Sequence, residues 1–241
     1  MVMDEHIVTM ELCRKLNTRT QPINTDSQAM KKQYQDMMVM QAWFSPAFPV
    51  GAFSYSHGLE TAIQEAMISE KDSLTEWIAC LLTFGSGWND CLFLKAAYEM
   101  GDEVNDLCLS FCTGKERYRE TVELGAAFTR IVNASYGTEL QDGLAYPVAV
   151  GLAARKHKLD IALTAQSFLQ AFAANLISVG VRIIPIGQHA GQDCLVRICV
   201  VIENIMPDLL EAGLDQLGGA TFMSEIMSMK HENANPRIYR T

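Results

Sequence analysis

Apolar residues recur along the chain at the spacing of an α-helix. Leu59, Ala62, Ile63, Ala66 and Met67 fall at i, i+3, i+4, i+7 and i+8, which places them on one face of a helix. Sustained alternation of apolar and polar residues, the pattern of a half-buried strand, is nearly absent. The sequence therefore predicts an all-α protein, a single compact domain of about eight to ten helices. Similar helical stripes occupy 74–82, 91–100, 104–112, 115–136, 147–156, 160–177, 192–206 and 220–229.

Several predicted helices carry recognisable end signals. Ser73 followed by Glu76 matches a capping box and predicts a helix that begins there. Asp160 is expected to cap the long apolar helix that follows it. Pro207 is expected to end the helix that begins near Gln192, because proline removes a backbone donor.

The helical pattern weakens at both ends of the chain. Residues 1–39 are polar and weakly periodic, and we interpret them as a flexible N-terminal tail, or as a segment that orders on a partner, before a helical domain that spans 40–232. Residues 233–241 begin with turn-forming residues and end with basic ones, which predicts a flexible C-terminal tail. Residues 230–241 carry three basic side chains and one acidic one, so the rest of the chain has a net charge of −11. Such a tail is either a mobile solubilising end or a segment that docks on an acidic groove or partner.

Composition excludes several classes of protein. Hydrophobic residues make up 49% of the 241 residues and charged residues 20%, which is not the composition of a disordered chain. A net charge of −9 argues against nucleic-acid binding. The seven cysteines are odd in number and form no C-x-x-C motif, so we expect reduced thiols and a cytoplasmic protein. The longest apolar run, 145–154, is too short to span a membrane.

Motifs for catalysis or stable metal binding are missing from the sequence. It contains no phosphate-binding loop, no nucleophile elbow and no H-E-x-x-H motif, so we expect a protein that is not an enzyme. Cys108 and Cys112 have metal-ligand spacing but lie on an apolar stripe, which favours core thiols. His57 and Glu60 also have ligand spacing, but a surface pair near a helix start is commoner. His231 is expected to be exposed and to be a weak metal ligand.

Two segments rich in glycine interrupt the helical pattern. The first, 49–60, begins with a proline and contains two glycines, two serines and two aromatic residues. The second, 185–192, places two Gly-Gln pairs around a helix boundary. Such segments either separate helices or present an interaction surface, and their composition alone does not decide between the two.

These two segments and the tail together resemble the UreF family of urease accessory proteins. The matching pieces are PVGAFS (49–54) with GLE (58–60), RIIPIGQ (182–188) with GQ (191–192), and MKHE (229–232) with RIYRT (237–241). The resemblance covers about 40–241. The family tail is more often Arg-Leu-Phe, then Arg or Lys, then Ser, where this chain has RIYRT. Position 186 is more often leucine than isoleucine. These substitutions are conservative.

The resemblance implies an all-α homodimer that acts as a non-enzymatic adaptor. UreF-like proteins bridge a UreD/UreH-type accessory protein and the UreG GTPase, which carries nickel. The assembly docks on apo-urease and supports GTP-dependent nickel insertion and lysine carbamylation. Two alternatives stay open, a regulator of the partner GTPase and a nickel-carrying chaperone in its own right. No tightly bound cofactor is expected, only a transient contact with nickel.

The resemblance also directs attention to particular residues. We expect the residues around Phe53 to lie near the docking site of the tail, and the two tail arginines to anchor it through charge-assisted bonds. The Arg182 region is assigned to the dimer surface or to the surface that faces UreG, and His231 to a transient nickel contact. The tail is expected to be mobile until the UreD/UreH-type partner binds. The predicted partner-binding residues are Phe53, Ser54, Tyr55, Arg182, Gln188, Gln192, Arg237, Tyr239 and Arg240.

Overall fold

The computed structural model describes residues 25–240, and every regular element among them is helical. This confirms the all-α prediction and the expected number of helices. Three short 3-10 turns, Ala52–Ser54, Asp102–Val104 and Leu214–Gln216, lie between the α-helices. The α-helices are α1 (Thr25–Trp43), α2 (Leu59–Gln64), α3 (Lys71–Phe84), α4 (Ser86–Met100), α5 (Asn105–Ser110), α6 (Lys115–Tyr136), α7 (Tyr146–His157), α8 (Ile161–Ile183), α9 (Gly187–Glu211) and α10 (Phe222–His231).

The described chain divides at Val39 into two units. The first unit is the part of α1 before Met40, which is helical although its weak periodicity predicted no helix there. This stretch contains neither glycine nor proline and is rich in glutamine, lysine and methionine, which favour helices. Residues 1–24 of the predicted N-terminal segment, and Thr241, lie outside the described residues.

Close helix packing builds the core of the second unit, which begins at Met40. Helix α7 packs against α4 and α6. A Cβ added to Gly151 of α7 would lie 2.2 Å from the carbonyl oxygen of Leu94, and one added to Gly125 of α6 would lie 2.0 Å from that of Leu144. Only glycine permits such backbone approaches, so Gly151 lets α7 approach α4 and Gly125 lets α6 approach the segment that leads into α7.

Helix α8 is the long apolar element of this unit. Asp160 accepts the backbone N–H of Leu163 at 2.8 Å, so the predicted cap is confirmed. By length and composition α8 is also apolar enough to cross a membrane, a test that the core helix of a globular protein passes as well. It packs against α2, α3, α4 and α9, and its Leu169, Ala173 and Leu176 side chains are buried there.

Two predicted helix boundaries are wrong. Helix α3 begins at Lys71, and Ser73 stands in its first turn, where its hydroxyl accepts the backbone N–H of Glu70 at 3.3 Å. Helix α9 continues through Pro207 to Glu211. Because α9 residues on both sides of this proline are buried in the core, their packing outweighs the one backbone hydrogen bond that proline removes.

Candidate functional site

The tail segment, residues 233–240, lies against the body of the protein rather than extending from it. The backbone N–H groups of Ile238 and Tyr239 donate to the Glu60 carboxylate at 2.8 and 2.9 Å. The N–H of Arg240 donates to the carbonyl of Ser54 at 2.7 Å. Three successive backbone donors of the tail are therefore satisfied by α2 and by the turn before it. The structure gives the docked position, and mobility of the segment without a partner stays a prediction.

A buried ionic cluster holds the tail segment from Arg237 to Tyr239. The His231 ring is fully buried, with Nε2 3.0 Å from Oε2 of Glu60 and Nδ1 3.0 Å from Oε2 of Glu116. Arg237 donates from Nη1 to Oε1 of Glu116 at 2.7 Å. Burial raises the pKa of Glu116, although the hydrogen bond from His231 opposes this shift. The expectation that His231 is exposed is therefore wrong, because both ring nitrogens face carboxylates inside the protein.

A third carboxylate, Glu123, holds the end of the tail segment. It accepts Nη1 of Arg240 at 2.8 Å, the Tyr55 hydroxyl at 2.7 Å and Nε of Arg119 at 2.6 Å. Burial and the hydrogen bond to Glu123 raise the pKa of Tyr55 to about 12, so this phenol stays a donor. The hydrogen bonds from Tyr55 and Arg119 in turn lower the pKa of Glu123. The structure thus brings Tyr55 and Arg240 to one acceptor.

The docked tail segment leaves a mixed apolar and charged surface, which we call the tail face. Phe53 is 59% exposed and Ile238 is 75% exposed. The Arg240 side chain is also largely exposed. Tyr239, by contrast, is buried, so in this state it anchors the segment and offers no surface to a partner.

A further buried cluster lies beneath α10. Arg117 donates to Asp90 at 2.6 Å and approaches Glu120 to 3.3 Å, while Nε2 of His57 lies 2.8 Å from Glu120. Burial raises the pKa of Asp90 even though Arg117 opposes it. Burial also acts to raise the pKa of Glu120, but the charges of His57 and Arg117 outweigh it and hold that pKa below its ordinary value. In this network the positive charge of Arg117 offsets the buried carboxylates, and its Asp90 and Arg117 line the same cavity as Ser224 and Ser228 of α10.

The turn that supplies His57 also seats α10. His57 and Gly58 both have positive φ, 51° and 75°, and a Cβ on Gly58 would lie 2.6 Å from the carbonyl of Ser224. The glycine therefore lets α10 approach the turn closely. His57 faces Glu120 and Glu60 faces His231, so the two residues do not form the metal pair that their spacing allows.

Polar groups and thiols line a cavity of about 390 Å³ next to this cluster. Cys108 is buried there and Cys112 is half-buried, and burial raises the pKa of both thiols. This is the behaviour of core cysteines, as their apolar stripe predicts. Within residues 25–240, no group of three or more His, Cys, Asp or Glu side chains is arranged to hold a metal ion.

The other three predicted contact residues share a groove between α8 and α9. Arg182, Gln188 and Gln192 are exposed and line a groove of about 230 Å³. Gly191 lies at its base, where an added Cβ would come within 2.7 Å of Val181. The structure therefore gathers the predicted contact residues into two sets, one on this groove and one at the docked tail.

Comparison with known proteins identifies the family. A family model described as UreF matches residues 68–199. A urease accessory protein UreF from Ruegeria pomeroyi is 38% identical over 212 residues, covering 86% of this chain and 97% of the relative. Its counterpart from Bradyrhizobium diazoefficiens is 37% identical over 242 residues, covering 94% and 100%. One from Cereibacter sphaeroides is 41% identical over 207 residues, covering 85% and 98%. The motif resemblance is thereby confirmed, and the chain belongs to the UreF family of urease accessory proteins.

Proposed function

We propose that the chain is a non-enzymatic adaptor that bridges a UreD/UreH-type accessory protein and the UreG GTPase. In this role it supports GTP-dependent nickel insertion into apo-urease. The relatives that share most of its length are named urease accessory proteins. Parts of the sequence motifs that carry the resemblance lie on two exposed surfaces, the tail face and the groove between α8 and α9. Two surfaces are what a bridge between two proteins needs.

The tail face is the observation that carries this proposal. Phe53 and Ile238 expose large apolar side chains, and Arg240, whose guanidinium group is also largely exposed, pairs through its backbone N–H with Ser54, the residue after Phe53. Exposed aromatic, aliphatic and arginine side chains in one place are typical of protein interfaces. We assign this face to the UreD/UreH-type partner and the α8–α9 groove to UreG or to the dimer contact.

Co-purification of the full chain with its proposed partners tests the adaptor role. The chain is expected to form a complex with the UreD/UreH-type protein, and this complex is expected to recruit UreG and apo-urease. Urease activity after addition of nickel and GTP gives the functional readout. A chain that binds neither accessory protein while remaining helical and monodisperse would refute the adaptor role.

Regulation of GTP hydrolysis is the second candidate function, and the α8–α9 groove favours it. Arg182 and Gln188 supply the two side-chain types that stabilise or orient groups during GTP hydrolysis in trans. An arginine supplied this way contributes about 10³–10⁵ in rate. If the groove acts on the nucleotide, Arg182→Ala will abolish stimulation of UreG GTPase activity without preventing complex formation.

The matched control for this variant is Arg197→Ala. Arg197 is an exposed arginine on α9 that pairs with Asp72 and does not line the groove. Single-turnover GTP hydrolysis by UreG, measured with each variant at saturating concentration, separates catalysis from binding. Equal hydrolysis rates with Arg182→Ala and with the unmodified chain would exclude the regulator and leave a scaffold.

A nickel-carrying role, the third candidate, would require His231 to change its surroundings. Each ring nitrogen faces a carboxylate, so a nickel contact there needs the ring to leave Glu60 or Glu116. We therefore propose no tightly bound cofactor and at most a transient contact with nickel as cargo. We further propose a cytoplasmic homodimer, which sedimentation at micromolar concentration can test.

A further inference from the structure

A groove of about 340 Å³ lies between α3, the turn that follows α2 and the start of α10. Its floor is one face of α3, on which Trp77, Cys80 and Phe84 recur at the spacing of successive helical turns. Ala220, just before α10, donates its backbone N–H to the carbonyl of Phe84 at 3.0 Å, which holds the start of α10 beside the end of α3. The residues that line this groove include none from the tail segment or from the two ionic clusters.

Three side chains that line this groove carry sulfur, and we call it the sulfur groove. Met67 follows α2, Cys80 lies on α3 and Met223 lies in the first turn of α10. The two methionines are 41% and 45% exposed, and Cys80 is an exposed free thiol. A thioether is a soft metal ligand as well as an apolar group, and the rotatable bonds of methionine let its sulfur adapt to a bound ion. One thiol and two thioethers on separate elements therefore offer a set of ligands for a metal ion.

The charge and softness of these ligands select the kind of ion. Thioethers are neutral, so the three ligands carry one negative charge when Cys80 is a thiolate. A monovalent cation then gives a neutral complex, whereas a divalent cation leaves a net positive charge against the apolar side chains of Ile68, Leu81 and Phe84. Glu76 lines the groove as well, but its carboxylate is a hard ligand that suits other metals. Thiolate and thioether sulfur together favour Cu(I) over Ni(II).

We propose that Met67, Cys80 and Met223 form a binding site for a soft monovalent cation, and that Cu(I) is its ligand. Cys80 binds as a thiolate and releases its proton to solvent, the two thioethers complete a three-sulfur set, and no electron is transferred. The ion exchanges with solvent through the open side of the groove, so it is not a resident cofactor. The site shares no residue with the tail face, the α8–α9 groove or His231, so it stands or falls independently of the adaptor role.

Protection of Cys80 from alkylation measures the site directly. The full chain is kept without oxygen and mixed with one equivalent of Cu(I), and iodoacetamide labelling of the Cys80 peptide is followed by mass spectrometry. This readout separates Cys80 from the other cysteines of the chain. Cu(I) is expected to protect Cys80, and one equivalent of Ni(II) is expected to leave its labelling rate unchanged. Absence of protection by Cu(I), or equal protection by Ni(II), would overturn the proposal.

Met67→Leu and Met223→Leu separate a three-sulfur site from a thiol that binds Cu(I) alone. Leucine keeps the volume and apolar character of methionine but removes the sulfur. Competition with the chelator bicinchoninate is expected to show a loss of Cu(I) affinity of about 100-fold or more for each variant, because changes outside the ligand set already cost about 10–100-fold.

The matched control is Met229→Leu. Met229 is as exposed as Met223 and lies on the same helix, but it does not line the sulfur groove, so its replacement should leave Cu(I) affinity unchanged. All three methionines are partly exposed, and circular dichroism is expected to show an unchanged helical signal for each variant. Unmodified affinity in both groove variants, or the same loss in Met229→Leu, would overturn the site.

Discussion

Replacing Arg237 and Arg240 together with alanine is expected to weaken binding of the UreD/UreH-type partner by about two powers of ten or more. Arg237 donates to Glu116 at 2.7 Å and Arg240 to Glu123 at 2.8 Å. Water screens both partly exposed guanidinium groups in the isolated chain, so there they contribute little. A partner that covers the tail face removes this screening, and hydrogen bonds to charged groups then contribute about 1.5–3 kcal/mol each.

The double variant should lose its partner without losing its fold. Helix α10 ends at His231, so neither arginine belongs to a helix, and the helical signal and melting temperature are expected to stay unchanged. Lys230→Ala is the control, since it removes a nearby exposed basic side chain that pairs only with exposed Glu65 among the described residues. Phe53→Ala is expected to resemble the double variant, because Phe53 lies on the same face. Full partner binding and urease activation by the double variant would refute the anchor role.

The spacing of apolar residues was sufficient to predict most of the helices. The predicted bounds of α6 match the structure, because its amphipathic stripe is long and Gly137 ends it in the left-handed conformation. The sequence pattern gave a wrong helix end where tertiary packing outweighs the local preference of a residue. Pro207 reads as a helix end, yet α9 passes through it because buried residues on both sides hold the helix in place.

Only part of the candidate site could be predicted from the sequence. The arginines of the tail were found by charge, but their acceptors were not. Glu116, Glu120 and Glu123 fall at i, i+4 and i+7 on α6, and this acidic stripe is the signal that could have located the docking surface. The burial of His231 had no such signal, because it follows from the distant Glu60 folding against α10.

The docked position of the tail could not be predicted from its composition. Residues 233–240 carry little apolar surface, which by itself predicts mobility. Their docking relies instead on backbone donors that meet a buried carboxylate, as the contacts of Glu60 with Ile238 and Tyr239 show. Whether the segment is ordered in the free chain therefore depends on these polar contacts more than on hydrophobic burial.

The largest effect on stability is expected from Arg117→Met. Arg117 lies between Asp90 and Glu120, with nitrogen to oxygen distances of 2.6 and 3.3 Å. Methionine keeps much of the side-chain volume but leaves two buried carboxylates without their shared cation. Removing one partner from a buried ionic network costs about 3–5 kcal/mol, so the free energy of unfolding in urea should fall by this amount.

The loss caused by Arg117→Met should depend on pH in a definite direction. Burial raises the pKa of Asp90, and Arg117 opposes this shift, so its removal raises the pKa further. A carboxyl group whose pKa is higher in the folded state destabilises the fold above that pKa and ceases to do so as pH falls. The variant should therefore approach the unmodified chain in stability on acidification. Arg119→Met is the control, because this exposed arginine on the same helix pairs with Glu123 and should change stability little. Equal losses from the two substitutions would show that the buried network does not stabilise the fold.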